Sequence, residues 1–423
     1  MRAAGWETYL VGGVVRDLLL GRRPSDLDIV TAAPPEAVAR LFPRTIPVGA
    51  EFGVTAVVEG GRPYQVAAFR REGPYHDGRR PAYVELADRE ADVRRRDFTI
   101  NALLYDPATD TVIDLVGGHA DLTGRLIRTV GDAAARFGED HLRMLRAVRL
   151  AAELGFTVDA EAEEAMRGLA PRIRTVSAER VHEEVVRLLV AQGRADGVRL
   201  LARTGLLAVL LPEVAALADR GVASPHARAG DGLSLTVDAL GRLRRPSAVV
   251  ATATLLMLLD APGVPEAICR RLRFSNAERR AIVALVREHG RVPVLPLLRA
   301  GAIRGLLRRV FPADLLEVYR VRAEAGDGDV RAYVRGAEVV AAHAGGRGLP
   351  GPLLTGDDLI RLGLAPGPEF AQVLEAVDAA RARGEIASPA EARAWVRARL
   401  AAGAVLETAE ASPGRASPRA NGG

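Results

Sequence analysis

Residues 10–31 read LVGGVVRDLLLGRRPSDLDIVT, and the fold of the N-terminal region follows from this stretch. One apolar run stops at Gly12-Gly13, and a helix-like segment opens directly after it. Glycine allows a tight turn and lets an anion approach the backbone. The helix N-terminus behind the turn offers unpaired N–H groups. Arg16, one turn into that segment, reaches the same anion. A second apolar run then carries Asp26 and Asp28. Strand side chains alternate faces, so residues two apart point the same way. Two carboxylates on one face, beside a turn rich in donors, can hold divalent cations against a triphosphate. That chemistry suits nucleotidyl transfer.

Working outward, 423 residues exceed one ordinary core, and two to four domains are expected. At 48% hydrophobic and 26% charged the composition is globular. No apolar run reaches the length of a membrane span. The start, MRAAGWETYLVGG, has no basic region followed by a long apolar core. It does not read as a secretory signal, and a cytoplasmic protein with no membrane partner is expected. A lone cysteine, Cys269, excludes an internal disulfide and a multi-cysteine zinc site. The net charge is +5, and all 58 basic residues are arginines. The excess is compatible with a phosphate-backbone partner without establishing one. Aromatics are only 4%, too few for base-stacking platforms.

The fold class expected is α+β. TYLVGG, LDIVT, VTAVVEG, YQVAAF and ALLYD read as strands, with VVRDLLLG and PEAVARLF as helices. From Asp132 onward apolar residues fall at helical spacing, as in DHLRMLRAVRLAAEL and SAERVHEEVVRLLVA. The pattern sets expected boundaries: a strand-bearing part at 1–130, helical parts at 131–200 and 201–408, and a disordered tail at 409–423.

Residues 10–31 resemble, position by position, the first signature of the polymerase-beta-type nucleotidyltransferases. Within these the chain is similar to the bacterial class II tRNA nucleotidyltransferase and poly(A) polymerase family. Further matches follow in order: RRDFTINAL at 95–103, DLVGGHADL at 114–122, FGEDHLRMLRAVRLAAEL at 137–154 and SAERVHEEVVRL at 177–188. The resemblance implies that Asp26 and Asp28 bind Mg2+ and are catalytic. It implies that Gly12, Gly13, Arg16, Arg96 and Asn101 belong to the nucleotide site, with Arg96 on the triphosphate and Asp97 on the ribose 2′-hydroxyl. Guanidinium forks suit phosphate, and a carboxylate accepts from a hydroxyl. Asp140, Arg143 and Arg146 are spaced by three, which predicts one helical face. A carboxylate beside a guanidinium matches the acceptor and amine of cytosine and adenine and mismatches guanine and uracil. The resemblance gives Asp140 and Arg143 this role, with Glu139 and Arg146 as braces. Its implied substrates are CTP and ATP and its partner tRNA, gripped by the helical half.

Residues 69–84, FRREGPYHDGRRPAYV, resemble the family's flexible loop, with Arg70, Glu72, Tyr75, Asp77, Arg79 and Pro81 matching. That loop is associated with adenosine addition, so its presence argues against a cytidine-only enzyme. Two departures stand out. Gln65 occupies a position where many relatives carry a glutamate, and an amide cannot serve as a general base. Met257-Leu258 stands where many relatives have His-Asp, so metal-dependent hydrolysis is not expected from that region. His182, His226, His289 and His343 have no ligand partners at suggestive spacing. The arginines of 268–274 and 303–310 are candidate RNA-backbone contacts, or simply solvated faces. Three readings remain open: CCA addition or repair, a poly(A) polymerase or A-adding enzyme of the same family, and an inactive RNA-binding protein.

Overall fold

β1 (Thr8–Val11) ends at Gly12, and α1 (Gly13–Leu19) starts immediately. Gly12 has a φ of 81° and a ψ of −139°, a combination open to glycine and costly for other residues. Its carbonyl accepts from the N–H groups of Val15 at 3.2 Å and Arg16 at 3.3 Å. The structure is a computed structural model, which describes residues 1–24, 26–47, 53–75, 78, 81–221, 231–344, 353–364, 367, 369–382 and 385–401.

The chain continues through β2 (Asp28–Thr31), α2 (Pro35–Leu41), β3 (Thr45–Pro47), β4 (Val54–Glu59) and β5 (Arg62–Ala68). A hairpin of β6 (Arg70–Glu72) and β7 (Val84–Leu86) follows, then α3 (Arg89–Arg94), β8 (Leu104–Asp106), β9 (Thr111–Ile113) and α4 (Gly118–Thr123). Seven strands form one mixed sheet in the order β3-β4-β5-β2-β1-β8-β9. Within it β2 and β5 run parallel, which sets Asp28 beside Gln65. Alternation divides the side chains between two cores. Tyr9, Val11, Val30, Phe69 and Leu104 pack on one face, and Val57 and Val66 pack with α2 residues Ala37 and Val38 on the other.

The strand carrying the acidic pair is shorter than its sequence suggests. β1 pairs with β2 only back to Leu10 opposite Ile29, because the chain turns away at Gly12. β2 therefore starts at Asp28, and Asp26 precedes the pleat. The same-face argument does not hold for the pair as a strand property, although both side chains reach one cavity, described below.

The element 114–122 works as a fastener. Asp114 Oδ1 accepts from the N–H groups of Val116 and Gly118, and Oδ2 from that of His119 at 2.9 Å. A Cβ at Gly118 would lie 2.2 Å from the Thr99 carbonyl oxygen, so only glycine lets α4 sit this close. The loop at 69–84 is represented by the β6–β7 hairpin and a bridge from Tyr75 to Pro81. Asp77 and Arg79 lie outside the described residues, as do His226 and the expected tail at 409–423.

Helices then take over: α5 (Ala133–Glu139), α6 (Leu142–Leu154), α7 (Ala160–Leu169) and α8 (Ala178–Val190). The helix expected from Asp140 onward starts only at Leu142. Asp140 is extended, with φ −139° and ψ 106°, so it stands at a joint and does not share a helical face with Arg143 and Arg146. Its Oδ1 accepts from the Leu142 N–H at 3.1 Å, a cap that competes with continuing the helix. Further on, the segment lacking a His-Asp pair is a packed core, with Thr252, Thr254 and Met257 buried. His289 is buried too, its Nδ1 against the carbonyls of Leu285 and Val286.

Two compact units emerge. One comprises Met1–Gly290 with Ala313–Tyr333, and the other Arg291–Pro312 with the chain from Val334 onward. The second has its own core around Leu354, Leu359, Val373, Val377 and Val396. Among the described residues no helix is long and apolar enough to cross a membrane.

Candidate active site

Asp26 and Asp28 line one cavity of about 280 Å³ together with Gly12, Gly13, Arg16 and Arg96. A Cβ on Gly12 would stand 3.9 Å from Asp28 Oδ2 and 3.8 Å from Arg96 Nη1, so the bare turn faces both charges. Burial in the cleft pushes the Asp28 carboxyl above its ordinary value, against the pull of Arg96 and with a further push from Asp26. Burial that disfavours the Asp28 charge is offset when a cation arrives beside it. Among the described residues no group of three or more His, Cys, Asp or Glu is gathered. The donor set is therefore two carboxylates in an open cleft. That suits a hard divalent ion whose other positions are filled by water and phosphate oxygens.

Arg16 folds back over the turn. Its Nη1 donates to Asn101 Oδ1 at 2.7 Å, and its Nε and Nη2 to Asp17 Oδ1 at 2.9 and 2.8 Å. Asn101 Nδ2 in turn donates to Asp97 Oδ1 at 3.2 Å. Asn101 thus ties Arg16 to Asp97. Arg96 Nη2 donates to the fully buried Asp92 at 2.8 Å, and its buried Nε has no partner. An unpaired buried donor on a cavity wall is what a bound phosphate would satisfy. The three arginines 94–96 therefore differ: Arg94 lies in solvent on Glu90, while Arg95 and Arg96 both close on Asp92.

A second cavity, about 420 Å³, adjoins the first through shared walls at Arg96, Asp97 and Arg146. Asp140 and Arg143 line it, so the two residues meet across the helix joint. Asp97 is the hub. Its Oδ1 accepts from the Phe98 N–H at 2.8 Å, and its Oδ2 from Arg146 Nε and Nη2 at 3.0 and 2.7 Å. Burial opposes its charge, but the guanidinium of Arg146, helped by that of Arg143, holds the carboxyl down at about 2. Arg143 is braced by Glu139, which also receives Arg136 at 2.8 Å. Arg146 braces Asp97 and not the Asp140–Arg143 pair.

Sequence reasoning missed Arg180. From α8 its Nη2 donates to Asp140 Oδ2 at 2.7 Å and its Nη1 to Oδ1 at 3.3 Å, and it lines the second cavity. It sits inside the SAERVHEEVVRL element, and no spacing rule connects it to a residue forty positions earlier. The hairpin contributes as well: Glu72 accepts from Arg95 at 2.9 Å and from the Tyr75 hydroxyl at 2.5 Å.

Residues 8–128 match the family described as the Poly A polymerase head domain, and residues 155–217 match the probable RNA and SrmB-binding site of polymerase A. The CCA-adding enzyme of Geobacillus stearothermophilus is 40% identical over 302 residues, 67% of this chain and 74% of that protein. The chain belongs to the CCA-adding enzyme family. To the CCA-adding enzyme of Geobacillus thermodenitrificans the identity is 47% over 203 residues, and there the match spans half the length of that relative. The crystal structure of a Bacillus stearothermophilus CCA-adding enzyme in complex with CTP superposes with a TM-score of 0.73. It is 30% identical and covers 95% of each chain. A Thermotoga maritima CCA-adding enzyme complexed with tRNA shares the fold at 20% identity, with a TM-score of 0.60 and coverage of 94% and 92%. CCA-adding enzymes are nucleotidyltransferases and generally use divalent metals.

Proposed function

We propose that this chain builds or repairs the 3′-terminal CCA of tRNA from CTP and ATP, in the cytoplasm, releasing pyrophosphate. One observation carries the reading. The acidic cavity and the Asp140–Arg143 cavity are contiguous through Arg96, Asp97 and Arg146, so one nucleoside triphosphate can lie with its phosphates in the first and its base in the second. The Gly12-Gly13 turn, Arg16 and Arg96 hold the triphosphate. Asp97 accepts from the ribose 2′-hydroxyl, with Asn101 and Arg146 fixing its carboxylate. Asp140 and Arg143 present an acceptor and a donor to the base edge, which suits cytosine and adenine. The RNA 3′-hydroxyl gives its proton to solvent and its oxygen bonds to the α-phosphorus, while the bond from that phosphorus to the oxygen bridging to the β-phosphate breaks and pyrophosphate leaves. Mg2+ at Asp26 and Asp28 would lower the pKa of that hydroxyl and stabilise the leaving charge. Gln65, next to Asp28 in register, supplies no base, and the two aspartates are sufficient. In this assignment residues 1–130 form the catalytic head, 131–200 the template neck, and 201–408 the helical RNA-binding part.

Incorporation of labelled CTP and ATP into tRNA lacking its terminal nucleotides tests the reading. Addition of two cytidines and one adenosine is expected, and Asp26→Ala or Asp28→Ala should reduce it by about 10³-fold. Long adenosine tails, or adenosine added only to ends already carrying CC, would replace this reading with a polymerase or an A-adding enzyme. No incorporation at all would leave an RNA-binding protein.

A further inference from the structure

The proposed reaction brings two polyanions to one pair of carboxylates, and the triphosphate accounts for only part of the cationic wall. Five arginines line the acidic cavity. Arg96 and Arg146 also line the base cavity, so they lie along the nucleotide. Arg16, braced by Asn101 and Asp17 beside the glycine turn, is assigned to the triphosphate. Arg149 is buried on Glu184 and Glu153. Arg187, on α8, is different. It lines the acidic cavity and not the base cavity, its side chain is 58% exposed, and its ion pair with Glu153 is long, at 3.2 Å. Arg22, from the turn between α1 and the aspartates, reaches the same residue, donating to the Glu153 carbonyl at 3.2 Å.

We infer that Arg187, with Arg22 beside it, grips a backbone phosphate of the RNA 3′ end and so aims its terminal hydroxyl at the cavity. This rests on the proposed function and names a substrate contact within it. The chemistry favours the assignment. An exposed guanidinium held by one weak pair gives it up for a bidentate phosphate with little loss. Its place beside the aspartates and away from the base cavity separates it from the incoming nucleotide. A phosphate contact is also blind to sequence, as a chain that must accept an end in C, CC or another base requires.

The test compares Arg187→Ala and Arg187→Lys with the unaltered chain, measuring tRNA binding against salt and the KM values for tRNA and CTP. For Arg187→Ala we expect tRNA binding weakened about tenfold, a log–log salt slope shallower by about one, and an unchanged KM for CTP. Arg187→Lys should recover most of the binding, because the charge is kept. Unchanged tRNA affinity and slope in Arg187→Ala would overturn the inference. So would a KM for CTP that rises in parallel, which would put Arg187 on the triphosphate. The binding comparison needs no turnover, so a chain that binds RNA without incorporating nucleotide would defeat the proposed function and still decide the role of Arg187.

Discussion

Asp97 stands in the wall that the two cavities share. It closes on Arg146 and receives Asn101. A carboxyl at about 2 in the folded chain, against an ordinary 3.8, binds its proton less readily than in the unfolded chain. It therefore adds stability above about pH 4, and that contribution is lost as the pH falls from 3.8 towards 2. The shift corresponds to about 2 kcal/mol. Asp97→Asn should cost about that much in chemical unfolding at pH 7, and the gap to the unaltered chain should close near pH 2. A gap that persists unchanged at that pH would show that packing, not charge, holds Asp97. At this scale the sequence is informative where chemistry is local. Asp26, Asp28 and the glycine turn sit within twenty residues, so residue type and spacing declare them. The geometry of Asp140 was not legible, because a cap onto Leu142 and a grip from Arg180 bend the chain there, and neither follows from periodicity.

Elements bring together what the motifs leave apart. The strands at 8–11, 28–31, 54–59 and 104–106 follow from apolar runs, and the turn at Gly12 sets where the β1–β2 pairing stops. The short strands Thr45–Pro47 and Thr111–Ile113, and the helix Arg89–Arg94, escaped the pattern: each is too short to show a period, and neighbours define it. The helix α8 illustrates the same limit for function. Its apolar face predicts burial, yet its polar residues decide the site: Arg180 on Asp140, Glu184 on Arg149, and Arg187 at the acidic cavity. With Arg180 in place both Asp140 oxygens are oriented. In Arg180→Met only the Leu142 N–H would hold that carboxylate, and the acceptor–donor pattern would loosen. The ratio of kcat/KM for CTP over UTP should then fall by about tenfold while the KM for tRNA stays the same. An unchanged ratio would make Arg180 a stabilising pair and remove it from base selection. The reading is separable from Arg187 because one variant moves nucleotide choice and the other moves RNA binding.

Across the molecule, both cavities draw their walls from the strand-bearing region and from the helices α6 and α8. A chain of charges crosses between the sheet-bearing part and the helices α6 and α8. Asp97, after α3, takes Arg146 of α6; Arg146 lies 3.6 Å from Glu184 of α8; and Glu184 receives the buried Arg149 of α6. Arg149 and Glu184 are both almost fully buried. Breaking such a pair leaves a buried charge uncompensated, whereas replacing both partners with apolar groups of similar size is often tolerated. Glu184→Gln should therefore destabilise the protein by about 3 kcal/mol in chemical unfolding. The double variant Arg149→Met with Glu184→Leu should regain most of that loss. Function should not return with stability, because Arg146 will have lost one of the two carboxylates that hold it against the nucleotide cleft. The KM for CTP in the double variant should stay raised severalfold while its unfolding midpoint approaches that of the unaltered chain. If stability and KM recover together, the ion chain is scaffold alone. If neither recovers, the helices need those charges for packing itself. A split between the two would mean that one set of charges both joins α6 to α8 and sets the position of Asp97.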